Sequence, residues 1–316
     1  MTKALRLIYF GTPEFAVPSL RKLIGSSHAV LAVVSQPDRP RGRGHHLTPT
    51  ATKTVALAHR MAVLQPEKIR TEEFLDAVRA LKPDLGVVAA YGKILPEALL
   101  QIPPLGMINV HGSLLPRWRG AAPVHRAVIA GDTVTGVTIM RVVKELDAGA
   151  MFATVTRPIG PDDTSVEVEK DLAEMGGDLL VQVIDQMANG TARETPQPEE
   201  GVTYASKILK IEGLVDWSLP AVQLHNLVRG LQPWPLVSAR LAGTRILFHR
   251  STVLPETTSA EAGTIMRASR DELDVAGGDG GVLRILALQP EGRRVMTPRE
   301  FLASRRIEAG SRLEAG

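Results

Sequence analysis

The sequence predicts an α/β chain of two domains, a parallel sheet built from βαβ units followed by a small antiparallel barrel. Three observations carry this expectation. In the first half, short apolar runs alternate with amphipathic stretches, the pattern of strands joined by crossover helices. A Pro-, Glu- and Thr-rich stretch without periodicity, Gly190 to Gly201, then interrupts the chain. Beyond it, short strands are separated by Gly and Asp turns, as in a barrel of the OB type. At ~100–200 residues per domain, 316 residues accommodate both.

The elements follow in order. Leu5 to Phe10 is an apolar run that reads as a buried strand, and Gly11-Thr12-Pro13 turns it into a helix through Phe15, Leu20 and Leu23. Ala29 to Val34 is a second strand. Gln36 to Thr50 is too polar and too rich in Gly and Pro to form an element. A helix from Ala51 to Arg60 leads to a short strand at Val63-Leu64, and a helix from Glu72 to Leu81 leads to a strand from Asp84 to Ala90. Leu95 to Leu100 is helical, Met107 to Val110 is a strand, and Ala121 to Ala130 is a helix. Val134 to Val143 and Phe152 to Ile159 form a late strand pair. Ser165 to Met187 is a long helix whose stripe of Val166, Leu172, Met175, Leu179, Val183 and Met187 has core spacing. After the linker, a helix near Leu219 to Gly230 precedes strands at Arg245–His249, Gly263–Arg267, Leu273–Ala276 and Val282–Ala287.

Composition narrows the classes. A hydrophobic fraction of 44% and a charged fraction of 22% are those of a soluble globular protein. The absence of cysteine removes disulfides, thiolate metal sites and Cys nucleophiles, and fits a reducing cytoplasm. No apolar run approaches the ~18 residues of a membrane span, and the start lacks a leader pattern, so a cytoplasmic location is expected. Charge is uneven. Residues 1–150 hold 19 Lys and Arg against 11 acids, residues 151–205 hold 3 against 11, and the remainder 15 against 12. A basic front and tail suit a polyanionic partner. Aromatics, at 4%, are too few for a single-strand stacking platform.

Chemistry concentrates at one strand end. Gly11-Thr12-Pro13-Glu14-Phe15 occupies the place of a dinucleotide-binding turn but has one glycine, so a nicotinamide cofactor is not expected. Asn109 and His111 are two apart and share a side of an extended strand, where α/β sheets bind ligands. Gly112 and Gly120 bracket the loop Ser113 to Arg119, and Asp147 lies in a Gly-containing turn after the next strand. Asn, His and Asp together suit acyl transfer, with donors for an oxyanion and a carboxylate behind the imidazole. On residue types alone, a satisfied buried histidine and a turn-capping aspartate remain open. No Ser or Cys nucleophile is flagged, and His45 and His46 have no nearby carboxylate, so no metal is expected.

These residues resemble a known family. Asn109-Val110-His111-Gly112-Ser113-Leu114-Leu115-Pro116, then Arg117-Trp118-Arg119-Gly120-Ala121-Ala122-Pro123, with Gly136 to Met140 and Leu146-Asp147-Ala148-Gly149, is similar to the motif of folate-dependent formyltransferases. Phe10 to Phe15, Ser35 to Gly44, Ala90 to Pro96, and Asp216-Trp217-Ser218 with Asn226 and Pro233-Trp234-Pro235 resemble its methionyl-tRNA branch.

The resemblance implies a Rossmann-like catalytic domain over 1–189, a linker at 190–206 and an OB-like tRNA-binding domain over 207–316. It implies 10-formyltetrahydrofolate as formyl donor, lying against Val88, Ala89, Ala90 and Tyr91 and the loop of Ser113, Leu114, Leu115 and Pro116. The acceptor would be the α-amino group of initiator methionyl-tRNA, approached by Arg39, Arg41, Arg43, Lys207 and Lys210. Asn109 and His111 would hold the oxyanion, and Asp147 would support His111 and help collect the amine proton. No metal, membrane or obligatory protein partner is implied, and the chain is read as a monomer. The rival readings are formylation of a glycinamide ribonucleotide or an amino sugar nucleotide, a formate-releasing hydrolase, and a non-catalytic RNA-binding protein.

Overall fold

A computed structural model describes residues 3–41, 46–303 and 305–315. The chain packs as two compact units, one comprising the chain up to Pro123 with Thr135–Arg157 and Glu169–Ala205, the other comprising Val124–Val134, Pro158–Val168 and the chain from Ser206.

The chain enters through β1 (Arg6–Gly11), α1 (Ala16–Ile24) and β2 (Ala29–Val34). Two short strands, β3 (Arg39–Arg41) and β4 (His46–Thr48), then pair with each other, Arg39 opposite Thr48 and Pro40 opposite Leu47. This corrects the expectation of a loop without elements. A two-stranded ribbon closes on backbone bonds alone, so Leu47 stays 71% exposed and no apolar alternation marks the strands. Next come α2 (Ala51–Ala58), β5 (Ala62–Leu64), α3 (Glu72–Leu81) and β6 (Leu85–Ala89). Thr50 and Thr71 cap α2 and α3 by accepting from Lys53 N and Phe74 N. The order continues with α4 (Glu97–Leu100), β7 (Met107–His111), β8 (Arg119–Gly120), α5 (Pro123–Ala130), β9 (Val134–Arg141), β10 (Met151–Pro158), α6 (Ser165–Ala188) and β11 (Tyr204–Ala205).

The first unit is organised by a seven-stranded sheet in the order β10-β9-β7-β6-β1-β2-β5. Pairing is parallel from β5 to β7 and turns antiparallel between β7 and β9. Parallel strands need both faces covered, which accounts for the near-continuous burial of β1 and β6. Helix α6 covers part of one face through Gly176, where a Cβ would lie 2.9 Å from Val110 Cγ1. Phe10, Phe74, Tyr91, Leu95 and Leu99 fill a core cluster, with Phe10 and Tyr91 edge-on at 5.5 Å.

Burial pushes the Tyr91 hydroxyl up to about 12, and no described residue bonds to it. An unpaired buried hydroxyl costs about 1–3 kcal/mol. Tyr91→Phe is therefore expected to hold or raise the melting temperature, and a clear drop in a thermal scan would show that the hydroxyl has a partner.

The second unit adds α7 (Ala221–Gly230), β12 (Val237–Leu241), β13 (Thr244–Thr257), β14 (Ile265–Ser269), β15 (Glu272–Ala276), β16 (Gly281–Pro290), α8 (Pro298–Ala303) and β17 (Glu314–Ala315). Six of these strands form an antiparallel sheet in the order β14-β15-β16-β13-β12-β17. The stretch leading into β17 also bonds to the opposite edge, with Ile265 N donating to Ser311 O at 2.8 Å and Leu313 N to Gly263 O at 2.8 Å. One segment thus serves both edges and curls the sheet into a half-barrel. Trp217 is buried in it, edge-on to Phe248 at 6.1 Å.

The units interleave in sequence, residues 124–134 and 158–168 packing with the chain from Ser206. The reason is non-local packing within the second unit. Helix α7 meets the end of α5, where a Cβ on Gly230 would lie 2.5 Å from Ile129 Cγ1. His225 Nε2 donates to Pro161 O at 2.9 Å, and buried Arg229 donates to Gly160 O and Asp163 O. No described helix is long and apolar enough to cross a membrane.

Candidate active site

Strand β7 delivers the first two side chains. Its Val110 faces α6, so Asn109 and His111 project from the other face. Asn109 lies between Val88 of β6 and Met140 of β9, and its carboxamide bonds to no described residue. His111 is 4% exposed, and its Nε2 lies 3.0 Å from Trp118 O. A carbonyl only accepts, so the proton sits on Nε2. Its Nδ1 lies 3.7 Å from Asp147 Oδ2. The structure therefore brings His111 and Asp147 together, and it leaves Asn109 as the uncommitted donor.

The loop after β7 is held from two sides. Thr138 Oγ1 donates to Ser113 O at 2.7 Å and accepts from Leu115 N at 3.2 Å. Ser113 Oγ donates to Arg117 O at 2.7 Å. Trp118 N donates to Thr203 Oγ1, and Arg119 N to Thr203 O, both at 2.9 Å. Strand β8 then runs parallel to β11. Backbone groups of the 113–116 loop are thus placed by Thr138, itself opposite His111 in the sheet.

Asp147 sits at φ +46°, a left-handed conformation that a short polar side chain tolerates better than most. Its Oδ2 accepts from Gly120 N at 2.8 Å. Gln197 supports the same turn, its Nε2 donating to Asp147 O and Gly149 O, both at 2.8 Å. Gln197 Oε1 in turn accepts from Arg119 Nε at 3.0 Å and Nη2 at 2.7 Å. Neither Gln197 nor Thr203 was expected from sequence. Polar residues in an aperiodic stretch carry no signal of what they face, and only the Pro-Gln-Pro rigidity hints at a fixed path.

At the end of β6, Val88 pairs with Asn109, so the segment expected to meet the donor adjoins the Asn109 side. Ala90 and Gly92 take positive φ, so the chain turns sharply as it leaves the sheet. The Tyr91 ring belongs to the core, and its carbonyl accepts from Thr12 Oγ1 and Gln36 Nε2.

The arginine ribbon is anchored at its start. Lys53 Nζ donates to Asp38 Oδ2 at 2.6 Å and Gln65 Oε1 at 2.7 Å, and Gln65 Nε2 donates to Asp38 Oδ1 at 2.7 Å. The hydrogen bond from Lys53, then that from Gln65, holds the Asp38 carboxyl below its usual range. Its stabilising contribution is present above the ordinary Asp pKa and is lost as pH falls through the lower folded value. Arg39 is exposed and forms no ion pair with a described residue. For Arg41 only the backbone is described, and Arg43 lies outside the described residues, as does His45. Lys207 and Lys210 are exposed in the second unit, Lys210 opening the 3₁₀ turn Lys210–Gly213. Among the described residues, no three His, Asp or Glu side chains converge as metal ligands would.

Three kinds of likeness bear on this arrangement. The N-formyltransferase of Helicobacter canadensis, solved with folinic acid and dTDP-3-aminofucose, superposes at a TM-score of 0.68 and 17% identity, over 89% of this chain and 98% of its own. A sugar 3N-formyl transferase, solved with dTDP and 5-N-formyl-THF, gives 0.68 at 15% identity, over 92% and 99%. HypX from Aquifex aeolicus, solved with tetrahydrofolic acid, gives 0.62 at 15% identity, over 95% of this chain and 47% of its own. At such identities the superpositions show a shared fold. The sequence profile "Formyl transferase" matches residues 5–184, and "Formyl transferase, C-terminal domain" matches residues 207–306. With the first profile alone covering more than half its length and including Asn109, His111 and Asp147, the chain belongs to the formyl transferase family.

Proposed function

We propose that this formyltransferase carries the formyl group of 10-formyltetrahydrofolate to the α-amino group of methionine on initiator methionyl-tRNA. The folate donor is supported by the reduced folates in the neighbouring structures. Support also comes from the placement of Val88 beside Asn109 and of the 113–116 loop on Thr138.

The chemistry follows from the groups present. An α-amino group has a pKa of about 7.7–8.0, so its neutral form is available near pH 7. Its lone pair attacks the formyl carbon, and the carbonyl electrons move onto oxygen. The carboxamide of Asn109, bonded to no described residue, donates to that oxyanion. His111 contributes its Nε2–H when the oxyanion competes with Trp118 O for it. The attacking nitrogen loses its proton toward Asp147, the carbonyl reforms, and N10 of the folate leaves and takes up a proton. No covalent enzyme intermediate forms.

The choice of tRNA rests on one observation, an anchored ribbon carrying an exposed Arg39 that forms no ion pair with a described residue. A charged arm on a fixed base suits phosphate contacts that orient a large acceptor. In the second unit, exposed Lys207 and Lys210 suit the same use. Lys53→Met is expected to raise KM for charged tRNA several-fold while leaving KM for the folate unchanged, because it frees the ribbon without touching the donor site. An equal effect on both would remove the ribbon from acceptor recognition.

The sugar-directed neighbours favour an amino sugar nucleotide as the second reading. Transfer of labelled formyl from 10-formyltetrahydrofolate decides between them, with initiator methionyl-tRNA, elongator tRNA and a dTDP-amino sugar as parallel acceptors. Efficient transfer to the sugar and none to initiator tRNA would overturn the proposal. Formate release without any acceptor would favour a hydrolase.

A further inference from the structure

We infer that Gln197 is a positioning residue for formyl transfer, acting through Asp147, and that residues 194–205 form a strap that sets the catalytic turn. The inference rests on the reading of Asp147 as part of the site. The hydrogen bonds close a ring. Gly120 N holds the Asp147 carboxylate, and the adjoining Arg119 holds Gln197 Oε1. Gln197 Nε2 returns to the carbonyls of Asp147 and Gly149. The amide has one possible orientation, because a flip would set its N–H groups against the guanidinium and its oxygen against two carbonyls.

Asp147 needs such a hold. Its backbone is at φ +46°, a conformation that costs energy for a residue with a side chain, less for Asp than for most, and that the surrounding bonds maintain. The strap is fixed on both sides of Gln197. Glu194 pairs with Arg141, and Thr195 exchanges two backbone bonds with Met151, at 2.8 and 2.9 Å. Thr203 and Ala205 hold Trp118, Arg119 and Ala121. A single stretch of chain therefore ties the carboxylate's turn to the loop whose Trp118 carbonyl orients His111. Gln197 touches neither the imidazole nor the carboxylate, so its effect must pass through the position of Asp147.

The test is a double-mutant cycle in the full-length enzyme, using Gln197→Met, Asp147→Asn and the pair. Gln197→Met is expected to lower kcat by ~10–100-fold, the scale of a small misplacement of a catalytic group. KM for 10-formyltetrahydrofolate and for the acceptor should stay within about two-fold on that same view, since the ring holds neither substrate. In the Asp147→Asn background the same change should cost less than about three-fold, because the two act as one unit. Losses that multiply in the double variant, or a Gln197→Met enzyme with wild-type kcat beside a slow Asp147→Asn, overturn the inference alone. Wild-type turnover in Asp147→Asn overturns the reading of the site and the inference with it. Should Gln197→Met unfold, Gln197→Glu decides in its place. It keeps the size and the Arg119 contact but offers no N–H at neutral pH, so the same kcat loss is expected, and normal kcat counts against the ring.

Discussion

Asn109→Ala is expected to lower kcat for formyl transfer by roughly 100–1000-fold, the scale of losing one donor to a developing oxyanion. The structure makes this variant cleaner than its partner. The Asn109 carboxamide bonds to no described residue, so its removal leaves the loops in place. KM for both substrates should change little, because the lost bond strengthens mainly in the transition state. His111→Ala should reach a similar loss in kcat but also remove the hydrogen bond to Trp118 O. That bond steadies the 113–121 loop, so a rise in KM for the folate is expected as well. Single-turnover rates with saturating 10-formyltetrahydrofolate separate the two effects. Near-normal turnover in Asn109→Ala would remove the oxyanion assignment.

Gly149→Ala is expected to damage both stability and catalysis. An ideal Cβ at that position lies 1.9 Å from Arg141 O, a backbone atom that cannot rotate aside. Overpacking of this kind costs about 1–3 kcal/mol, or a drop of roughly 2–4 °C in melting temperature for each kcal/mol in a chain of this size. Relief requires the turn to move, and Asp147 moves with it, for an expected further loss of ~10²-fold in kcat. Gly243→Ala is the comparison. Gly243 has φ +76° but nothing within 4 Å of an added Cβ, so only the conformational cost of about 1 kcal/mol is expected, with kcat unchanged. Calorimetry and kcat measured side by side decide it. Equal behaviour of the two variants would show that Gly149 has room.

The site was legible as a set of residue types and only partly as an arrangement. Asn109 and His111 could be placed on one face because side chains alternate along a strand. Asp147 could be placed near them because a turn follows the neighbouring strand. The sequence did not show that His111 spends its Nε2–H on Trp118 O, or that the Asn109 carboxamide bonds to no described residue. Both facts depend on the path of the loop from Ser113 to Gly120, which Thr138 and Thr203 set from elsewhere in the chain. Gln197 was missed for the same reason.

The elements show the same division. Apolar periodicity alone located β1, β2, α3 and α6 within a residue or two, because their buried faces have a fixed repeat. It missed the β3–β4 ribbon, β12 and the full length of β13. In the ribbon and the far half of β13 strand pairing holds the chain extended without a buried stripe, whereas β12 is buried but its Ser238-Ala239-Arg240 middle carries no apolar repeat to read. The alternation of elements and the candidate set of Asn109, His111 and Asp147 follow from the sequence by itself, since each rests on local spacing and residue chemistry. Tertiary structure decided the closing of the half-barrel by residues 310–313, the grouping of residues 124–134 and 158–168 with the second unit, and the Gln197 ring around Asp147. Each of these joins backbone or amide groups that are far apart in the chain. Such groups are nearly the same in every residue, so their pairing leaves no mark on local sequence.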